Sequence, residues 1–189
     1  MLELDTPRLL LRQWRPEDRA PFAALNADPE VMRYFPSTLD AKASDAFADH
    51  CESRLVERGW GLWAVELKRS AEFVGFVGLE VPNYELPFNH CTEIGWRLAR
   101  AHWGQGYATE AARAALGAGF EQLGLEEIVS FTSVINLASR RVMEKTGMLD
   151  SGENFMHPAV ERDSRLCEHC LYRLPRGVWL VGQDTAKKT

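Results

Sequence analysis

Hydrophobic and polar positions follow two periods along this chain, and the periods predict an order of strands and helices. Apolar residues that alternate with polar ones, or run together between turn residues, predict strands at 6–14, 60–67, 73–81, 91–98, 127–132, 148–156 and 166–174. Apolar residues three or four apart predict helices from 15 to a stop at 26–29, at 40–58, at 111–123 and at 136–145, with a helical turn or loop at 29–35. The pattern indicates a mixed α+β domain.

Glycine and polar turns mark several of these boundaries. Gly59 follows a helix in which Phe47, Cys51 and Leu55 are spaced by four, and it is typical of a left-handed helix cap. A short polar turn joins the strands 60–67 and 73–81, which therefore form an antiparallel hairpin. We expect one domain over 1–182, followed by a frayed polar tail at 183–189.

The segment from Trp103 to Glu110 connects the strand 91–98 to the helix 111–123. Its Gly104 and Gly106 have no side chain to block a ligand and allow backbone angles that other residues avoid. The first amides of the following helix have no acceptor inside the helix and carry the positive end of its dipole. Such a turn is typical of a phosphate-binding site, and its alternative is an ordinary strand-to-helix connection.

Composition narrows the classes of function. Hydrophobic residues make up 46% and charged residues 26% of the 189, which is ordinary for a globular domain. A net charge of −5 argues against non-specific nucleic-acid binding, although a local basic patch at Arg140 and Arg141 stays open. No apolar run approaches the roughly 20 residues of a membrane span, and the first residues do not resemble a signal peptide. We expect a cytoplasmic protein, monomeric or homodimeric, with no nucleic-acid or membrane partner.

The four cysteines leave two interpretations open. Cys51 and Cys91 stand alone and fit buried small apolar positions. The other two cysteines lie near two histidines, and His157, Cys167, His169 and Cys170 could together supply the four ligands of a tetrahedral zinc site. However, residues three apart on a strand point to opposite faces, and the run 166–174 is predicted to be a strand. We therefore expect no metal.

The order of the elements and three motifs together resemble the GNAT superfamily of N-acetyltransferases. The phosphate-binding pattern of that family, (Arg or Gln)-x-x-Gly-x-(Gly or Ala), falls here on W-G-Q-G-Y-A at 103–108, with Trp in place of the leading Arg or Gln. That departure is typical of the branch that resembles ribosomal-protein N-terminal (Rim-type) acetyltransferases. The opening T-P-R-L-L-L-R at 6–12 and the later N-x-x-S-x-x-V-x-E-x-x-G at 136–147 fit the same branch.

The resemblance implies a fold, an activity and a cofactor. The implied fold is a three-layer α/β/α arrangement, with a mixed, mostly antiparallel sheet of about six to seven strands and about four flanking helices. Two central parallel strands, ending near Leu98 and Thr132, splay apart in a V. The implied activity is transfer of an acetyl group from acetyl-CoA to a primary amine, a protein N-terminus or a small-molecule amine, by direct attack in a ternary complex.

The same resemblance assigns roles to residues. Glu93 is the expected base, its alternative being a solvated strand residue, and Ser139 is the expected acid for the leaving sulfur. Asn136 is expected to contact the cofactor while it caps a helix, and a first-turn helix residue is the alternative role of Ser139. The cofactor-binding residues implied for the pantetheine arm, the pyrophosphate and their surroundings are Trp96, Arg97, Leu98, Trp103, Gly104, Gln105, Gly106, Tyr107, Ala108, Thr109, Asn136 and Arg140.

Candidates for the acceptor side follow from residue type and place in the chain. A histidine can accept a proton near pH 7, although a single histidine is more often structural. Aromatic side chains can line a pocket, although core packing is their commoner use. The candidates are Trp14, Tyr34, His90, His157 and His169. Two rival functions stay open: an acyl-CoA sensor without turnover, and a zinc-binding interaction module built on 167–170.

Overall fold

The computed structural model describes residues 2–88 and 91–186 of the 189. Its strands are β1 (Leu4–Asp5), β2 (Leu9–Arg12), β3 (Leu62–Leu67), β4 (Glu72–Glu80), β5 (Glu93–Leu98), β6 (Glu127–Ser133), β7 (Leu149–Met156) and β8 (Glu168–Pro175). Its α-helices are α1 (Arg19–Ala27), α2 (Pro29–Met32), α3 (Ala41–Arg58), α4 (Tyr107–Gly117), α5 (Leu137–Lys145) and α6 (Arg176–Ala186). His90, one of the acceptor-side candidates, lies outside the described residues.

The strands are hydrogen-bonded in the order β1-β2-β3-β4-β5-β6-β8-β7. The pairs β1–β2, β2–β3, β3–β4, β6–β8 and β7–β8 are antiparallel, whereas β5 and β6 are parallel, with Glu93 opposite Val129. This confirms a mixed, mostly antiparallel sheet with a parallel pair. The described part of the chain has eight strands because β1, whose Leu4 lies opposite Leu11, is too short to show alternation in the sequence. The splay of the parallel pair stays a prediction.

The described chain forms two compact units. The N-terminal unit comprises residues 2–80 and 95–115, and the C-terminal unit comprises 81–88, 91–94 and 116–186. Strand β5 and helix α4 contribute residues to both units. The expected extent of a single domain, 1–182, stays a prediction.

Trp14 belongs to the aromatic core of the N-terminal unit. Its ring centroid lies 4.8 Å from that of Phe22 and 5.6 Å from that of Phe73. The indole Nε1 donates to the carbonyl of Leu62 at 2.8 Å, and only 3% of the residue is exposed. Packing and this bond satisfy the whole side chain, and a role of Trp14 on the acceptor side stays a prediction.

A buried ion cluster fixes the entry to α1 in the same unit. Arg12 bonds Asp18 at 2.7 Å and Glu66 at 2.7 Å, and Arg12 and Asp18 are each 2% exposed. Asp18 also accepts the amide of Arg15 at 2.7 Å, which closes the short turn Pro16–Asp18 before the helix. Removal of one member would leave a buried charge without its partner, so the cluster fixes β2 against the start of α1.

The caps of α3 confirm its predicted ends. The carboxylate of Asp40 accepts the amide of Ala43 at 2.7 Å. At the other end, Gly59 has a φ angle of +79° and donates its amide to Leu55 at 3.0 Å. Of the helices that the structure describes, none is long and apolar enough to cross a membrane.

Helix α6 of the C-terminal unit is absent from the sequence-based order of elements. Its Trp179 packs on Phe120, with ring centroids 5.6 Å apart, and donates to Glu121 at 3.3 Å. Phe120 lies in a π-helical turn, Ala118–Gln122, that continues α4. The backbone of α6 stays helical as far as Ala186, within the segment expected to be a frayed tail.

Candidate active site

The turn between β5 and α4 is open at its two glycines. Gly104 and Gly106 have φ angles of +74° and +81°, in the left-handed region that favours glycine. Nothing lies within 4 Å of the position a Cβ would take on Gly104. Within the described residues, the amides of Gln105, Tyr107 and Ala108 donate no backbone hydrogen bond. Unbonded amides at a helix N-terminus suit phosphate oxygens, which is the arrangement expected of this loop.

Glu110, in the first turn of α4, ties the loop to the segment before β2. Its carboxylate accepts the Thr6 hydroxyl at 2.8 Å, the Arg8 amide at 2.9 Å and Arg8 Nε at 2.6 Å. Burial raises the pKa of Glu110, but these hydrogen bonds and the charge of Arg8 outweigh burial and lower the pKa overall. Arg8 also donates to the carbonyl of Gln105 at 3.0 Å and lies 4.7 Å from the ring centroid of Tyr107. These contacts of Glu110 and Arg8, which we call the Arg8–Glu110 clamp, fix both sides of the glycine turn.

Trp103, at the position where the family pattern has Arg or Gln, turns back onto β5. Its Nε1 donates to the carbonyl of Leu98 at 2.8 Å, while the residue remains 40% exposed. The carbonyl of Arg97 faces β4, because it lies 2.1 Å from the position a Cβ would take on Gly75. The Arg97 carbonyl is therefore turned away from a pantetheine arm, and the Leu98 carbonyl already accepts a bond from Trp103. The groups left for the expected pairing are those of Trp96 and the amide of Leu98.

Asn136 caps α5 with both ends of its side chain engaged. Its carbonyl oxygen accepts the amide of Ser139 at 3.3 Å, and its amide nitrogen donates to Thr132 at 2.9 Å. The capping role expected from the sequence is therefore present. Ser139 lies in the first turn of the same helix and is half-buried.

Arg140 holds α5 against the last strands of the C-terminal unit. It donates to the hydroxyl of Tyr172 at 3.2 Å, the carbonyl of Val134 at 3.3 Å and the carboxylate of Asp150 at 3.2 Å. The hydrogen bond with Tyr172 and the neighbouring negative charge raise the pKa of Arg140. A cofactor contact would share a guanidinium that already has three partners.

His157 and His169 stack against each other beside Tyr84, with their ring centroids 4.6 Å apart. Burial and the neighbouring His169 lower the pKa of His157 to about 4, and burial lowers the pKa of His169 as well. His169 Nδ1 lies 3.1 Å from the carbonyl of Cys167 and must carry the proton to donate to it. Both imidazoles are neutral at pH 7, and the Nε2 of His169 is left as an acceptor.

The tautomer of His157 determines what the hydroxyl of Tyr84 can do. His157 Nδ1 accepts the amide of Ala159 at 3.2 Å, so its proton lies on Nε2. Nε2 lies 3.2 Å from the Tyr84 oxygen and therefore donates to it. Tyr84 accepts this bond and keeps its own proton for another acceptor. Burial, then the charge of Glu93, then Cys91, raise the pKa of Tyr84, which places Glu93 within its electrostatic range.

Aromatic rings surround the histidine pair. Phe131 lies 5.6 Å from Phe155 and 5.9 Å from Phe88, centroid to centroid, and 5.8 Å from His157. Phe155 lies 5.8 Å from His169. We call this cluster of uncharged rings, Tyr84, Phe88, Phe131, Phe155, His157 and His169, the aromatic wall; the Arg173 guanidinium lies 5.6 Å from the centroid of Phe88. Uncharged π faces suit an apolar body or an amine cation.

Comparison with known proteins decides the family. A model of the acetyltransferase (GNAT) domain matches residues 8–149, which is most of the chain. The chain belongs to the GNAT acetyltransferase family. Members of this family use acetyl-CoA as the acyl donor.

Individual relatives agree with the family. This GNAT protein is 38% identical to the uncharacterized protein YkkB of Bacillus subtilis, over 77% of this chain and 84% of the relative. It is 36% identical to the FsC-acetyl coenzyme A-N(2)-transacetylase of Aspergillus fumigatus, over 77% of this chain and 64% of that protein. A crystal structure of an acetyltransferase from Agrobacterium tumefaciens superposes with a TM-score of 0.73 at 28% identity, covering 92% of this chain and 94% of the other.

The GNAT loop of this chain fits the diphosphate of an acetyl-CoA donor by its own chemistry. The amides of Gln105, Tyr107 and Ala108 are unbonded within the described backbone, and the space beside Gly104 is open. The positive end of α4 favours an anion at the same place. Thr109 and Gly106 complete the turn from which further amides can donate.

Two cysteines of this GNAT chain, Cys167 and Cys170, bond to backbone carbonyls. Cys167 Sγ donates to Val160 at 3.5 Å and His157 at 3.8 Å, and Cys170 Sγ donates to Thr132 at 3.5 Å. In the part of the chain that the structure describes, no group of three His, Cys, Asp or Glu side chains is arranged to hold a metal ion. Each thiol has a local partner that accounts for its burial.

Several residues of this GNAT site were missed by the sequence analysis. Arg8 lies in the T-P-R-L-L-L-R motif and Glu110 ends the segment that begins at Trp103, and their opposite charges were the available signal. Tyr84 lies between β4 and β5, where no periodic pattern marks it. Of the remaining predicted residues, Tyr34 is half-buried with the Arg33 guanidinium 4.9 Å from its ring centroid, and its role on the acceptor side stays a prediction.

Proposed function

We propose that this GNAT protein transfers the acetyl group of acetyl-CoA to a primary amine, a protein N-terminus or a small-molecule amine, by direct attack in a ternary complex. The observation that carries the proposal is the turn at 103–108. Its left-handed glycines leave α4 amides unbonded at the place where the family pattern for phosphate falls. Acetyl-CoA, when bound, supplies an activated thioester; the chain must place the amine and move protons.

Glu93 is the proposed base. It lies half-buried on β5 opposite Val129, and it influences the hydroxyl of Tyr84 electrostatically. A carboxylate in such a position accepts a proton from an ammonium group, directly or through one water, and leaves a nucleophilic amine. Trp96, three residues further along the same strand, belongs to the segment proposed to pair with pantetheine.

Two hydroxyls are candidates for the proton donor to the leaving sulfur. Ser139, expected from the resemblance, lies in the first turn of α5 behind the Asn136 cap. Tyr84 is favoured by a separate observation: it accepts a bond from His157 and has its own proton free to donate. The raised pKa of Tyr84 keeps that proton in place at pH 7.

The class of acceptor is proposed from the relatives and from the aromatic wall. The Aspergillus relative is named for an N(2)-transacetylase activity, which is consistent with a small-molecule amine. The Rim-type motifs are consistent with a protein N-terminus. In either case the uncharged wall around His157 and His169 would contact the body of the acceptor.

The first experiment measures the melting midpoint with acetyl-CoA or CoA, beside ATP and NAD. A ligand at 100 times its dissociation constant adds about 2.7 kcal/mol, which raises the midpoint of a domain of this size by roughly 5 to 10 °C. Thiol release with a panel of amines then tests turnover. A specific shift with no thiol release from any amine would indicate the acyl-CoA sensor instead, and the absence of any shift would overturn the proposal.

The variant Glu93→Gln separates binding from chemistry. We expect it to keep the acetyl-CoA shift and to lose about 100-fold or more in kcat, which is the usual contribution of a general base. Glu126→Gln is the matched control, because Glu126 is exposed and pairs with Arg176 at 3.5 Å. Equal kcat values for Glu93→Gln and the control would exclude Glu93 as the base.

A further inference from the structure

Arg97 on β5 has an unusual setting in the N-terminal unit. Its Nη1 donates to Asn26 Oδ1 at 2.6 Å. Its guanidinium carbon lies 4.2 Å from the ring centroid of Phe35, 5.4 Å from that of Phe76 and 5.5 Å from that of Phe47. Aromatic faces and one amide oxygen thus surround the cation.

No carboxylate of the described residues neutralises this charge. Each of the other described arginines either is exposed or forms an ion pair with a carboxylate. Burial lowers the pKa of Arg97 to about 10, with Cys51 as the opposing electrostatic influence. Burial raises the pKa of the Cys51 thiol to about 12, so Cys51 is uncharged at pH 7. Arg97 as a whole is half-buried, but its Nε is shielded from water, and such a cation without a counter-ion is costly.

The guanidinium is also held with part of its hydrogen-bonding capacity unused. Arg97 Nε is buried and has no hydrogen-bond partner among the described residues. Because Asn26 takes Nη1, the Nε–H and Nη2–H edge is the one left over. That edge is a fork that matches the two oxygens of a carboxylate.

A second hydrogen bond, made by Asn26, holds the Arg97 side chain in its orientation. Asn26 Nδ2 donates to Ser44 Oγ at 2.9 Å, which turns Asn26 Oδ1 toward Arg97. Asn26 and Ser44 are fully buried, each 0% exposed. Such a relay fixes the guanidinium before any ligand arrives, as a specific binding site requires. Phe35, by contrast, is 38% exposed and follows α2, so its ring is the part of the surround with room to turn aside.

Arg54 shows that a buried Nε without a hydrogen-bond partner does not by itself indicate a binding site. Its Nε is also buried without a partner, yet its Nη1 pairs with Glu57 at 2.9 Å. Arg54 therefore has a counter-ion from the protein, and Arg97 has none among the described residues. The difference is a missing negative charge at Arg97.

We propose that Arg97 binds a carboxylate of the acceptor, so that the acceptor is an amine that also carries a carboxylate, such as an amino acid or a peptide-like acid. This rests on the proposed acetyl transfer, because β5 carries both Arg97 and the proposed base Glu93. A polyamine is disfavoured, since its cationic groups would repel the guanidinium.

The test compares a mixture of free L-amino acids with a matched mixture of their C-terminal amides, with spermidine as a polyamine probe. We expect thiol release, measured as kcat/KM, to be roughly 30-fold or more faster with the acids, the effect of losing one partner of a buried hydrogen-bonded charge pair. Arg97→Met should abolish this preference, and Arg97→Lys, which keeps the charge but not the fork, should retain part of it. Arg54→Met is the matched control and should keep the full preference.

A second measurement does not depend on turnover. The Nε–H signal of Arg97 in a ¹⁵N NMR spectrum, assigned with Arg97→Lys, should shift saturably with the acid mixture and not with the amides. A shift of this signal without an acetyl-CoA effect on melting would keep the carboxylate site and refute the proposed function. Three outcomes would refute the carboxylate site alone, provided that acetyl-CoA still raises the melting midpoint. They are an unchanged Arg97 NMR signal, equal kcat/KM values for acids and amides, and a preference for spermidine.

Discussion

Glu110 shows at the scale of one residue how the loop is fixed. Sequence reasoning assigned the neighbouring glycines and amides to phosphate binding but gave Glu110 no role. In the structure it accepts three hydrogen bonds from Thr6 and Arg8, which lie 104 and 102 residues away along the chain. A partner at that distance leaves no periodic trace in a sequence, whereas local partners such as the Asn136 cap do.

Replacing Glu110 by Gln should loosen the phosphate loop. The change removes the charge that pairs with Arg8 at 2.6 Å, and Arg8 also anchors the carbonyl of Gln105. We expect CoA affinity, measured by titration calorimetry, to fall roughly 10- to 150-fold, since a hydrogen bond to a charged group contributes about 1.5–3 kcal/mol. Glu57→Gln, which removes an exposed pair with Arg54, is the control. Unchanged CoA affinity in Glu110→Gln would show that the clamp does not support the loop.

Residue roles were predictable only where the partner is local. The Asp40 and Asn136 caps and the Gly59 stop follow from neighbours within four positions. Trp103 is among the expected cofactor-binding residues, a role that stays a prediction, and its side chain bonds Leu98 across the turn. That outcome depends on the direction of one side chain, which sequence spacing does not determine.

At the scale of elements, long periodic segments were the predictable ones. Helix α3 and the hairpin β3–β4 have clear periods and appear where expected. Helix α6 contains Gly177 and Gly182, which weaken a helical pattern, and it is held by the packing of Trp179 on Phe120. The loop that carries Tyr84 has no period at all, so no signal in the sequence marks this residue.

Close packing of the backbone in the hairpin β3–β4 predicts that replacing Gly78 destabilises the fold. A Cβ on Gly78 would lie 2.0 Å from the carbonyl oxygen of Gly61 and 2.8 Å from Leu62 Cα, both backbone atoms that cannot turn away. Gly78→Ala should therefore lower the free energy of unfolding by about 3 kcal/mol or more, and the midpoint by roughly 6 to 12 °C. Gly95→Ala is the control, because nothing lies within 4 Å of its Cβ position. Equal melting midpoints for the two variants would contradict the close approach.

At the scale of the whole molecule, the family and the sheet were predictable because three motifs occur in order along most of the chain. The GNAT match and the parallel pair β5–β6 confirm them. The charge environments were not predictable in the same way. A sequence shows that Arg97 and His157 are present. That no carboxylate of the described residues neutralises Arg97, and that His157 pairs with His169, depends on how segments distant in the sequence pack.

The histidine pair predicts how the stability of the molecule depends on pH. His157 has a pKa of about 4 in the folded chain, whereas an unfolded histidine titrates near the ordinary value of 6.5. Between these values the unfolded chain binds a proton that the folded chain does not, so the free energy of unfolding falls as pH drops from 6.5 toward 4. His169, whose pKa is also lowered, acts in the same direction.

Urea unfolding at several pH values between 7.5 and 4.5 measures this loss, and His157→Gln isolates the contribution of one side chain. Gln cannot take up the proton, so the fall in free energy with decreasing pH should be shallower in the variant. The difference is at most about 1.4 kcal/mol per pH unit, the limit for one proton, and solvent screening of the half-buried ring reduces it. Parallel curves for the two proteins would mean that His157 is protonated equally in the folded and unfolded chains. That result would refute the neutral state of His157, in which Nε2 donates its proton to Tyr84. The proposed role of Tyr84 as a proton donor would be refuted with it.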